Sequence, residues 1–100
     1  MSIKSTTNGN KINISIGERF DFSNHKEFRE AYRNTPEGSA NEFIIDMSVT
    51  EYVDSSALGM LLLLREHAGS EQANVSIKNC RAGVNDILTV SNFDKLFKIS

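Results

Sequence analysis

Two adjacent serines, Ser55 and Ser56, stand between an aspartate, Asp54, and a nearly unbroken apolar run, Ala57-Leu58-Gly59-Met60-Leu61-Leu62-Leu63-Leu64. Asp and Ser just before such a run mark a helix N-terminus. There the first backbone amides lack partners within the helix, and the positive end of the helix dipole points outward. A phosphate added to either serine finds donors waiting and need not unfold the domain. It also brings about −1.5 to −2 charges to the edge of an apolar surface, and desolvating that charge against a partner is costly. The chemistry these residues permit is therefore a switch. A partner binds the bare surface and is lost when the serine is esterified. Asp-Ser-Ser before a helix is also a common cap, so the residues alone leave both readings open.

The run after the serines says more. Seven of the eight residues from Ala57 to Leu64 are apolar, enough to cover almost the whole circumference of a helix, whereas a surface helix needs an apolar stripe of about 100° or a little more. One side packs on the rest of the domain. The other is either sandwiched by further helices or left for a partner, since contiguous exposed apolar patches usually mark interaction sites. We take the second option, with Ser56, Ala57, Leu58, Gly59, Met60, Leu61 and Leu62 as the expected contacts. Gly59 costs about 1 kcal/mol of helix propensity against Ala, which calls for a close approach there by a neighbouring element or a partner's backbone.

Other chemistries fare worse. A serine hydrolase would need a base beside Ser55 or Ser56 and a third group to orient that base. His67 lies about three turns along the same expected helix, His25 sits near the start of another, and Gly-x-Ser-x-Gly is absent. Both histidines are expected to face solvent. Asp21, Asp46, Glu51 and Asp54 have no ligand spacing and read as caps and loop residues, and no Gly-rich phosphate loop occurs, so neither metal nor cofactor is expected. The single cysteine, Cys80, closes a strand-like run and reads as structural. Eleven basic residues are scattered through a chain of net charge −2, which argues against nucleic acid as the main partner. With no apolar N-terminal segment and no stretch near the ~20 residues of a membrane span, a cytoplasmic protein is expected.

The elements that must position the serines follow from period and punctuation. One hundred residues make one domain, residues 1–100. Ile12, Ile14 and Ile16 alternate with polar residues as in a half-buried strand, and Asn8-Gly9-Asn10 turns back to an edge strand over residues 2–6. Ser23 and Asn24 are candidate caps of a first helix reaching Arg33, with Phe28 and Tyr32 on its inner stripe, before Thr35-Pro36-Glu37-Gly38 stops it. Glu42 to Met47 reads as a central strand buried on both sides. After the serine helix come a strand from Asn74 to Cys80, a short helix carrying Val84, Ile87 and Leu88, and a last strand within residues 96–99. The alternation predicts an α/β fold, a mixed sheet of four to five strands with helices packed mainly on one face.

Val53-Asp54-Ser55-Ser56-Ala57-Leu58-Gly59 resembles the Asp-Ser-Ser/Thr-Gly/Ala-Leu-Gly signature of the STAS family, bacterial anti-sigma factor antagonists. The similarity extends over Phe20-Asp21, the Ile44-Ile45-Asp46-Met47 strand and the closing Phe93-Asp94-Lys95-Leu96-Phe97. It implies a non-enzymatic, monomeric regulator of transcription. The unphosphorylated domain binds an anti-sigma factor or switch-protein serine kinase, phosphorylation breaks the complex, and a PP2C-type phosphatase restores it. The phosphoserine of the family falls on Ser55, with Ser56 as the alternative, and Asp54 and Asp21 match the acidic residues around it. Ala57 stands where many members carry Gly, and the longer C-terminal helix of some members is missing. A STAS subunit that is never phosphorylated, stacked in a signalling complex, is the competing reading within the family.

Overall fold

The computed structural model describes residues 3–33, 35 and 41–100. Ser2 of the expected first strand and Pro36, Glu37 and Gly38 of the expected helix stop lie outside them. The alternating isoleucines form strand β2 (Lys11–Ile16), folded back antiparallel on β1 (Ile3–Asn8) through a turn where Gly9 takes φ 65°, a left-handed value that glycine tolerates. The remaining long pairings are parallel. Strand β4 (Glu42–Asp46) pairs with β2 and with β6 (Asn74–Lys78), and β6 pairs with the short edge strand β7 (Lys98–Ile99). The sheet order is β1-β2-β4-β6-β7.

That order explains where the helices lie. Each parallel crossover steps in the same direction across the sheet, and right-handed crossovers that all step one way leave their helices on one face. Helices α1 (His25–Tyr32), α2 (Ser55–His67) and α3 (Ala82–Val90) follow β2, β4 and β6 in turn. The register lines up the side chains they cover: Ile12 beside Phe43 beside Val75, and Ile14 beside Ile45 beside Ile77. These rows, with Phe28, Leu61, Leu64 and Leu88, form the core. The opposite face carries Asn13, Ile44 and Ser76 in one row, flanked by exposed Thr6 and Lys98.

Two expectations need correction, and one element was not expected. Strand β4 is not buried on both sides, since Phe43 and Ile45 are inaccessible while Glu42, Ile44 and Asp46 are half-buried; a one-sided helix layer leaves the second face open. The first helix is preceded by a 3-10 turn over Phe22–Asn24 whose cap is Asp21, and Asn24 makes no side-chain cap bond to α1. The loop after β4 contains a two-residue strand, β5 (Tyr52–Val53), paired in parallel with β3 (Arg19–Phe20). Two residues are too few to show any period, so this small second sheet left no trace in the hydrophobic pattern.

Candidate functional site

The β3–β5 pair builds the site. Phe20 and Val53 are register partners, both buried, and the chain leaves each strand at an aspartate, Asp21 and Asp54. The Asp54 amide donates to the Phe20 carbonyl (3.2 Å), so the two departures are stitched side by side. Fully buried Thr50 anchors the loop from below, its hydroxyl donating to the Gly17 carbonyl (2.8 Å), and the Glu51 amide donates to the Glu18 carbonyl (2.8 Å).

Asp54 caps α2. Its backbone is extended and its Oδ1 accepts from the Ala57 amide (2.9 Å), which satisfies one of the orphan donors of the first turn. Ser55 follows, exposed, and Ser56 is half-buried. Asp21 caps the neighbouring 3-10 turn by a reciprocal box. It accepts from the Ser23 amide (3.0 Å) and hydroxyl, while its own amide donates to Asn24 Oδ1 (3.0 Å). The Ser23 hydroxyl, above all, holds the Asp21 carboxyl below its ordinary range; desolvation opposes it, and the Ser23 amide and Arg19 add to the lowering. Arg19 reaches Asp21 at 3.3 Å and lies over the Tyr52 ring at 4.3 Å, which ties β3 to β5 a second time.

The helical period divides α2 into two sides. Ser55, Gly59, Leu62 and Glu66 run down its outer line, all exposed, with Leu63 on the flank. Ala57, Met60, Leu61, Leu64 and, just beyond, Ala68 point inward and are buried. This corrects the expected contact set. Ala57 and Leu61 are inaccessible and Met60 is buried but for an edge turned towards α1, so the surface available along the Ser55 face narrows to Ser56, Leu58, Gly59 and Leu62, together with Leu63, which sequence reasoning had not singled out. A Cβ built on Gly59 meets nothing within 4 Å. No element of the described chain requires a glycine there.

His67 is also corrected. It is half-buried at the C-terminal end of α2, edge-on to Tyr32 (5.1 Å) and Phe43 (6.2 Å), and its Nε2 donates to the Thr35 carbonyl (3.0 Å). His25 is exposed and stacks on Phe22 at 4.6 Å. Among the described residues neither serine is hydrogen-bonded to a histidine, so the arrangement a hydrolase needs is not assembled. The four carboxylates do not converge either. Asp46 accepts from Ser48 and Asn79, Glu51 faces Arg81 (3.9 Å), and the other two are caps. Among the described residues no group of three His, Cys, Asp or Glu could hold a metal ion, and no helix is long and apolar enough to cross a membrane. Half-buried Cys80 has its thiol pushed up by burial, opposite to a reactive thiolate.

A one-sided α/β layer with a capped, serine-headed helix beside a second capping aspartate defines a class, and comparison with known proteins agrees. Residues 3–98 match the family described as Mlab, STAS domain, and the chain belongs to the STAS family. A STAS-domain containing protein of Pseudomonas aeruginosa (strain UCBPP-PA14) is 48% identical over 98 residues, covering 95% of this chain and 93% of that protein. An anti-sigma factor antagonist from Mycobacterium paratuberculosis has a similar structure (TM-score 0.77, 15% identity, 97% of this chain and 82% of that one). So does the anti-sigma factor antagonist SpoIIAA in its unphosphorylated form (TM-score 0.77, 12% identity, 98% and 87%). At such identities the likeness to the two solved structures is one of fold.

Proposed function

We propose that this protein is a partner-switching regulator whose state is set by phosphorylation of Ser55. The unphosphorylated domain binds an anti-sigma factor or switch-protein serine kinase through the outer line of α2, the kinase phosphorylates Ser55, and a PP2C-type phosphatase resets it. It acts as a monomer in the cytoplasm and catalyses nothing itself. The observation that carries the reading is the exposed Ser55, placed directly after a capping aspartate and in line along one helix face with Gly59 and Leu62. Ser55 and Leu62 are about 10 Å apart along the axis, within one partner footprint. The fold shared with anti-sigma factor antagonists supports the partner class.

The physics supports release rather than unfolding. The helix N-terminus accommodates an anion. The surface beside it does not, because a phosphate placed next to Asp21 and Asp54 concentrates negative charge at the rim of an apolar contact. Ser56, half-buried, is the alternative site. The test is the affinity of the partner for stoichiometrically phosphorylated protein against unmodified protein. A large loss of affinity with an unchanged circular dichroism spectrum is expected. Equal affinities, or phosphate on neither Ser55 nor Ser56 after treatment with the cognate kinase, would overturn the reading.

A further inference from the structure

Beside the Ser55 line lies a second surface. An open groove of about 680 Å³ runs between α1 and the C-terminal half of α2. Its floor is aromatic, made by Phe28 and Tyr32, and Met60 and Leu63 form the wall on α2. The opposite rim is a stripe of α1: His25, Arg29 and Arg33, four residues apart and all exposed. Arg33 shares its charge with Glu30 (3.1 Å), while among the described residues Arg29 carries no ion pair. Among the described residues the one acidic side chain on the rim is Glu66, from α2. The acidic residues of α1, Glu27 and Glu30, line instead the side that faces β1. A chain of net charge −2 has thus placed Arg29 of α1 and Arg33 at its C-cap along one trough.

We infer that this groove docks an acidic amphipathic helix of a protein partner, with its main apolar contact on exposed Leu63, the nearly buried edges of Tyr32 and Met60 beneath it, and carboxylates facing Arg29 and Arg33. The trough opens to solvent between two helices, the geometry of helix-in-groove recognition rather than of a pocket that encloses a small molecule. From His25 to Arg33 it runs about 12 Å, a little over two helical turns, so anchors at i, i+4 and i+7 span it. The basic rim supplies complementarity and steering, and exposed Leu63 on the α2 wall supplies the apolar contact. The site shares Leu63 with the surface beside Ser55 but is otherwise built from α1, Met60 and the C-terminal end of α2, and its test uses unmodified protein and no kinase, so the outcome of the Ser55 experiment leaves it untouched.

The probe is a synthetic peptide of about 20 residues, long enough to hold helix, with Leu at helical spacing and Glu along one flank. It is titrated into unmodified, isotope-labelled protein and compared with a twin carrying Lys for Glu and with a scrambled peptide. Amide shift changes are expected at Arg29, Tyr32, Met60 and Leu63, with the acidic peptide binding at least about tenfold more tightly than either control, the margin narrowing as salt rises. The double variant Arg29→Glu, Arg33→Glu, both exposed positions, should invert the preference between the Glu and Lys peptides. Equal binding of the three peptides, shift changes outside the groove, or no binding would overturn the inference. So would concentration-dependent shifts of the groove residues without peptide, accompanied by dimer in sedimentation, which would assign the face to a second copy of the chain. If the double variant does not fold, the three peptides on the unmodified protein decide alone.

Discussion

Along α2 the inward positions Ala57, Leu61 and Leu64 have no exposed surface, whereas Leu62 and Leu63, each next in sequence to one of them, keep 40% and 58% of theirs. The two sides share residue types and differ only in phase. The inner side meets the sheet and α1 and is fixed by close packing, where even one methylene is felt. The outer side is only partly covered in the described chain. Leucine there adds little to the fold and exposes apolar area, so its presence has to be explained by something outside the domain. The comparison separates two reasons for an apolar residue that composition alone runs together.

The sharpest way to break this comparison is to exchange the sides' consequences. Leu61→Ala should cost about 2–5 kcal/mol, because it removes transfer energy and leaves a cavity at an inaccessible site. Leu62→Ala should stay within about 0.5 kcal/mol, as surface substitutions do. Urea titrations of both variants check this, and similar losses would mean that the outer side is structural after all. In the second experiment Leu62→Asp should weaken partner binding by about 2 kcal/mol or more, the size of an interface hot spot, while the urea midpoint hardly moves. Unchanged affinity, read by calorimetry against the partner, would remove Leu62 from the interface.

How much of this was readable beforehand differs by region. Strand β2 was plain because three isoleucines at period two need no tertiary information. The start of α2 was equally plain, since Asp54 and the serines are strong local cap signals. Which leucines of α2 face outward was not, because a run that is apolar all round has almost no periodic signal and its phase is set by the sheet beneath it. The β3–β5 pair, which joins Asp21 to Asp54 across 33 residues of sequence, rests on backbone pairing of two-residue strands. His67 was misplaced for a related reason. Its partners are the Thr35 carbonyl and two aromatic rings brought in by α1 and β4, none of them adjacent in sequence.

Gly59 sharpens the comparison from the other direction. It sits on the outer line, and a methyl group there meets no atom of the protein within 4 Å. Gly59→Ala should therefore raise stability by about 0.5–1 kcal/mol through helix propensity and a less flexible unfolded chain. If a partner backbone comes close at this point, the same substitution should lower affinity while the melting temperature rises. A variant both more stable and equally tight in binding would show that the partner's footprint does not include Gly59.

The smallest effect tests the edge of the outer face, at Asp21. Its carboxyl is held below the ordinary range, chiefly by the Ser23 hydroxyl and then by the Ser23 amide and Arg19. A group whose pKa is lower folded than unfolded contributes stability that is fully present above the unfolded value, about 3.9, and lost as pH falls below it through the folded value. Asp21→Asn removes the charge while keeping a side chain able to cap the 3-10 turn. The variant should be slightly less stable than the parent near neutral pH, and the gap should close as the pH falls through the carboxylate range. Comparing the urea midpoints of the two proteins across that range cancels the other carboxylates, which titrate in both. A gap that is constant with pH would mean that Asp21 contributes through cap geometry alone.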